Sequence, residues 1–208
     1  MGLLNLLFEH PAAFLVIALP LLYSIILHEL AHGWAALLMG DPTARRAGRL
    51  TLNPLKHLDP MGTLMLLLFG FGWARPVPVN PANFRGNRMA MVFVSSAGIA
   101  VNLLLAFLSF LLLEAPPVPL GETTVMTVAV MARINVILAA FNLIPIPPLD
   151  GSKILMGFLP HRMGILFSRI EPYGFFILIG LLYFGFLDPV IRAFRSGILW
   201  VIQALLFR

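Results

Sequence analysis

The run Ala12–Met39 does most to limit what this chain can become. Its 28 residues are predominantly apolar, yet they contain His28-Glu29-Leu30-Ala31-His32. A helix of that length measures about 42 Å, more than the roughly 30 Å of a bilayer's hydrocarbon core. Ionisable side chains are costly in hydrocarbon, so a cluster of them inside a spanning segment marks a functional site by default.

Composition agrees with a membrane setting. Of 208 residues, 60% are hydrophobic and 11% charged, with a mean hydropathy of +0.94. A soluble domain carries about 25% charged residues. The expectation is an all-α membrane protein with a single domain over residues 1–208, its core over about 12–160 and C-terminal helices over 173–207. The net charge is +5, but the basic residues fall mainly between apolar runs, and no basic run interleaved with aromatics points to nucleic acid. The chain has no cysteine, which excludes disulfides, thiol nucleophiles and Cys-bound zinc. Met1–His10 has no Lys or Arg, which argues against a cleaved signal peptide.

Along the chain, Gly40-Asp41-Pro42 ends the first helix. A polar stretch follows over Thr43–Pro60, then Met61–Gly72, which is apolar but too short to span and reads as re-entrant. Trp73–Arg88 is rich in Pro and Asn and reads as extended or hairpin-like. Met89–Leu113 and Thr123–Ile144 are further spans, the latter stopped by Pro145, Pro147 and Pro148. Gly151–Pro172 connects to two more helices, Tyr173–Leu187 and Pro189–Phe207. That makes about five to six transmembrane helices, with a short re-entrant or hairpin segment between the first two.

The positive charges set an orientation. With the N-terminus outside, Arg45, Arg46, Arg49, Lys56, Arg75, Arg85, Arg88, Lys153, Arg162, Arg169 and Arg208 lie inside, against Arg192 and Arg195 outside. His28–His32 and Asp150 then share a depth toward the cytoplasm of a prokaryotic cell membrane. Arg133 falls within a span and reads as packed or snorkelling.

His28 and His32 are four residues apart and project from one helical face, where two imidazoles can reach one tetrahedral ion. Glu29 is turned about 100° away, free to act on water beside such an ion. H-E-x-x-H on a helix is a metalloprotease zinc signature, against which stands a chance match, rarer inside a spanning helix. A catalytic zinc takes three protein ligands and keeps a fourth position open. Asp150, after the Pro-broken end of the third span, is the best candidate third ligand; the alternative is a capping Asp. His57 and Asp59 compete with it but sit among turn residues, which favours a folding role. Asn102 could donate to an oxyanion or join helices beside Ser96 and Gly98. Asn142 reads as a cap or as a donor to backbone freed near Pro145.

Together these segments resemble the site-2 protease family of intramembrane zinc metalloproteases, in its compact prokaryotic branch. The resemblance covers about residues 20–160 and rests on His28–His32, Asn142–Gly151, Asn53–Pro60 and Trp73–Pro81. It implies one Zn2+ per chain held by His28, His32 and Asp150, with Glu29 as the base. The family's Gly-Pro-x-x-Asn-like motif is matched by Gly98 and Asn102, which implies that Asn102 lies near the active site; Ile99 stands where Pro is usual. No room remains for the PDZ or CBS domains that some members carry.

The expected function is zinc-dependent cleavage of a transmembrane protein substrate within the lipid bilayer. The extended Trp73–Asn83 stretch could hold that substrate by strand addition. The alternative is a membrane zinc-binding protein or transporter without proteolysis, against which stand the absence of visible internal repeats and the presence of Glu29. Oligomeric state is not legible.

Overall fold

The computed structural model describes residues 3–70, 72–85, 88–160, 164, 167 and 169–207. The described residues form helices and connecting loops without a named strand, as expected of an all-α membrane protein. A short helix α1 (Leu3–Glu9) leads into α2 (Pro11–Leu38), which carries the two histidines. Then come α3 (Thr43–Arg46), α4 (Pro60–Phe69), α5 (Arg88–Glu114), α6 (Glu122–Asn142), α7 (Asp150–Phe158), α8 (Gly174–Tyr183) and α9 (Asp188–Leu206). α2, α5, α6 and α9 are long and apolar enough to cross a membrane. α5 packs against both α2 and α6, α7 packs on α5, and α9 on α6.

Two expectations change here. Within Tyr173–Leu187 the unbroken α-helix is α8, of only 10 residues and about 15 Å of rise. Its Leu178 packs with Leu187, Ile144 and Leu149 at the broken end of α6. α9 starts in that same cluster, through Ile191 and Phe194, and meets the middle of α5 and α6 through Ile202, Ala106 and Val136. It therefore runs antiparallel to α6 from the end where Asp150 sits. Arg192 and Arg195, expected on the opposite side, lie at the same end as the other basic loops. Arg133 is exposed on α6, so it is not packed inside the bundle. Arg162 and Arg208 fall outside the described residues.

The segment 72–85 is extended but not a hairpin, with one isolated bridge, Leu58 to Ala74. Pro76, Pro78 and Pro81 lack the N–H that a β-ladder requires. The segment is pinned to the end of α2 instead. Asp41, fully buried, accepts from Asn80 N–H at 2.7 Å, Asn83 Nδ2 at 2.7 Å and Thr43 N–H at 3.1 Å, and also from Thr43 Oγ1. Arg85 N–H donates to Met39 O at 2.6 Å. α4 is the expected short apolar element, capped by Asp59, which accepts from Gly62 N–H at 2.8 Å.

Candidate metal centre

His28 and His32 face α5 from one side of α2, and α5 can approach them because residue 98 is glycine. A Cβ there would stand 2.5 Å from His32 Nε2 and 2.7 Å from His28 Nε2. Asp150 reaches the same point from the first turn of α7, where the helix dipole favours a carboxylate. The break Leu143–Leu149 that turns the chain there packs closely: a Cβ on Gly151 would meet Ile144 O at 2.6 Å.

Three atoms converge. His28 Nε2 lies 3.0 Å from His32 Nε2, and Asp150 Oδ2 lies 3.2 and 3.0 Å from them. Bonds of about 2.0–2.1 Å at tetrahedral angles place ligand atoms about 3.3 Å apart, so these spacings are close to the edges of a zinc tetrahedron. The outer ring nitrogens show which atoms hold protons. His32 Nδ1 faces Val94 O at 2.8 Å, a group that only accepts, so Nδ1 carries the hydrogen. His28 Nδ1 faces Asn102 Oδ1 at 2.5 Å, and Asn102 Nδ2 donates to Asn135 Oδ1 at 2.8 Å, which fixes that amide's orientation. With Nδ1 of each ring held outward, both Nε2 atoms turn to the buried Asp150 Oδ2. Two imidazole nitrogens and a carboxylate oxygen gathered out of water form a donor set that suits zinc. Among the described residues this is the one group of three or more His, Asp or Glu that could hold a metal.

The outer partners continue as a chain: Asn135 Nδ2 donates onward to Ser24 Oγ at 2.8 Å. Asn102, Asn135 and Ser24 are all fully buried. Of the two roles open to Asn102, the contacts show the one that joins helices: fully buried, it turns Oδ1 to His28 of α2 and donates from Nδ2 to Asn135 of α6. Nothing in the sequence alone tied Asn135 or Ser24 to the site; the one available signal was a polar residue in each of two apolar spans.

Glu29 lies on the wall of a cavity of about 510 Å³ that also takes in His28, His32, Asp150, Val77 and Lys153. Its Oε2 accepts the Val77 N–H at 2.6 Å. That bond affects the strand-addition idea. Within 76–81 the prolines have no N–H, Val77 gives its own to Glu29 and Asn80 gives its own to Asp41, so few donors remain for a substrate strand. Asn142 lines the cavity, but its Nδ2 donates to Leu138 O one turn back and not to the broken backbone. His57 is buried with Nε2 on Thr51 O at 2.8 Å, away from the metal group.

Comparison with known proteins agrees with this chemistry. The profile of Peptidase family M50 matches residues 119–185, which take in the α6 break and Asp150. The chain is 40% identical over 200 residues to "Putative zinc metalloprotease YwhC" of Bacillus subtilis (strain 168), covering 91% of each. The chain belongs to the site-2 protease family, peptidase family M50. It is also 32% identical to "Putative zinc metalloprotease Rip2" of Mycolicibacterium smegmatis, over 84% of this chain and 69% of that one. With the protein of that name from Mycobacterium tuberculosis (strain ATCC 25618 / H37Rv), identity is 29% over 92% and 74%. No solved structure matches the chain. This M50 chain is thus a multi-pass membrane protein of a metalloprotease family.

Proposed function

We propose that the chain is a zinc-dependent endopeptidase that cuts peptide bonds in or near transmembrane segments of membrane protein substrates. The observation that carries this reading is the convergence of His28 Nε2, His32 Nε2 and Asp150 Oδ2 beside Glu29, within a chain of membrane-length helices. His28, His32 and Asp150 hold one zinc per chain. When bound, the ion acts as a Lewis acid that polarises the scissile carbonyl and lowers the pKa of water.

The chain's own residues supply the rest. Asn102 and Val94 O hold the two rings in the tautomer that presents Nε2 inward. Glu29 is the general base: the Val77 N–H anchors Oε2, which leaves Oε1 to accept a proton from water and pass it to the leaving amine. The cavity wall of Pro76, Val77, Val79, Met91 and Met156 gives the substrate an apolar cleft.

The depth of the site supports an intramembrane substrate. His28 meets Gly98 and Asn102 near the middle of the 27-residue α5, and Asn102 is bonded to Asn135, seven residues before the end of α6, which supports a site within the length of the spanning helices. The basic loops at that end favour the cytoplasmic face of the cell membrane.

The test is cleavage of a panel of single-span membrane proteins by purified protein, wild type beside Glu29→Gln, with zinc measured in both. The expected result is cleavage by wild type alone and about one zinc in each, since Glu29 is not a ligand. A folded wild type without zinc would refute the reading. Zinc in both proteins with no cleavage would favour a zinc-binding or transport role.

A further inference from the structure

On the other side of the Arg75–Pro78 segment lies a second cavity, of about 490 Å³. It is lined by Arg49, Lys56 and Arg75, with Ala47, Leu55, Pro76 and Pro78, and no carboxylate among them. Its frame is held by backbone: Arg75 N–H donates to His57 O at 2.8 Å, and Leu58 bridges Ala74. Arg49 is only 7% exposed, with Nη2 on Arg75 O at 2.6 Å and a buried Nε that has no partner. A buried guanidinium with an unpaired N–H beside two further cations is an arrangement that favours an anion. Burial and the neighbouring Arg75 charge lower the Arg49 pKa, opposed by Glu29, which reports the same electrostatic deficit.

The surroundings identify the anion. Leu52, Leu55 and Leu58 are exposed on the same loop, with Leu55 at 79%, and Met61 is exposed in the first turn of α4 that follows. Apolar side chains flanking cations are the pattern of a loop at the membrane edge, where the available anion is phosphate. Arg binds phosphate through paired N–H groups, and Lys binds it as a point charge.

We propose that Arg49, Lys56 and Arg75 form a binding site for a phosphate group, supplied by an anionic lipid headgroup or by phosphate in solution. The bound phosphate braces the segment whose opposite side gives the Val77 N–H to Glu29. The inference stands apart from the peptidase reading, since it concerns different side chains and is read by binding.

The test uses the full chain, wild type beside Lys56→Gln/Arg75→Gln, two exposed side chains whose loss leaves the fold intact. Thermal stability is followed in detergent against inorganic phosphate, with chloride at matched ionic strength as control. In a second arm it is followed in phosphatidylcholine nanodiscs with and without phosphatidylglycerol. Wild type should gain stability, and the double variant should bind at least about tenfold more weakly, as expected for lost charge-assisted hydrogen bonds. A gain with phosphatidylglycerol alone assigns the lipid headgroup; a gain with inorganic phosphate assigns the solution ion. No gain in either arm, an equal gain with chloride, or an equal gain in the variant would overturn the proposal.

Discussion

Asn135 illustrates how much one buried amide can govern. It sits one layer behind Asn102, which sits one layer behind His28, and its Nδ2 donates both to Ser24 of the histidine-bearing helix and to Met131 O of its own helix. Replacing it leaves Asn102 free to rotate and to offer His28 the wrong face. Outer partners of metal ligands are worth about 10–100-fold in affinity. Asn135→Leu should therefore weaken zinc binding by that order in a chelator competition, with helicity retained. Unchanged affinity would reduce the chain of amides to helix packing. Val77 acts at the same scale through its backbone. Val77→Pro removes the N–H that anchors Glu29, so turnover should fall at least about tenfold, the worth of one charge-assisted bond, while zinc content stays at wild-type level.

Among the elements, the extended segment 72–85 anchors Glu29 through the Val77 N–H and does not offer the open strand edge expected of it. It is fastened at Asp41, where burial favours the neutral acid but hydrogen bonds from Thr43, Asn83 and the Asn80 and Thr43 N–H groups outweigh it and lower the pKa. A carboxylate with a lowered folded-state pKa stabilises the fold fully above its unfolded value of about 3.9 and loses that contribution as pH falls through the folded value. Comparison with Asp41→Asn should then show a constant deficit in the variant's melting temperature above about pH 5, closing as the pH drops below about 4. A deficit independent of pH would mean that the charge is irrelevant to the clamp. The break after α6 is the other decisive element: it ends a span and delivers Asp150 in a single turn of chain.

For the whole molecule, the direction of α9 decides at which end of the helices Arg192 and Arg195 lie. Because α9 starts beside the end of α6, Arg192 and Arg195 join the basic end, and the asymmetry is stronger than a five-span count gives. The natural chain has no cysteine, so single cysteines report position cleanly. In intact cells, Pro117→Cys should react with a membrane-impermeant maleimide, whereas Arg45→Cys and Arg192→Cys should react only after lysis. Labelling of Arg192→Cys from outside would restore a span at α8; labelling of Arg45→Cys from outside would invert the protein.

The sequence by itself determined the membrane class, the long helices α2, α5 and α6, and the candidate ligands His28, His32 and Asp150. Each of these follows from local pattern: unbroken apolar length, a four-residue spacing, a run of prolines. Tertiary structure alone decided what those residues face. It assigned Asn102 to the back of His28, recruited Asn135 and Ser24 from 111 residues apart, and gave the Val77 N–H to Glu29. It also limited α8 to 10 residues, of which Leu178 and Leu181 pack at the end of α6 while Phe175, Phe176, Ile177, Ile179, Leu182 and Tyr183 stay exposed. Apolar length records only that a segment avoids water. Whether it meets lipid or another helix, and which polar atom a buried amide answers, depends on contacts between segments far apart in the chain.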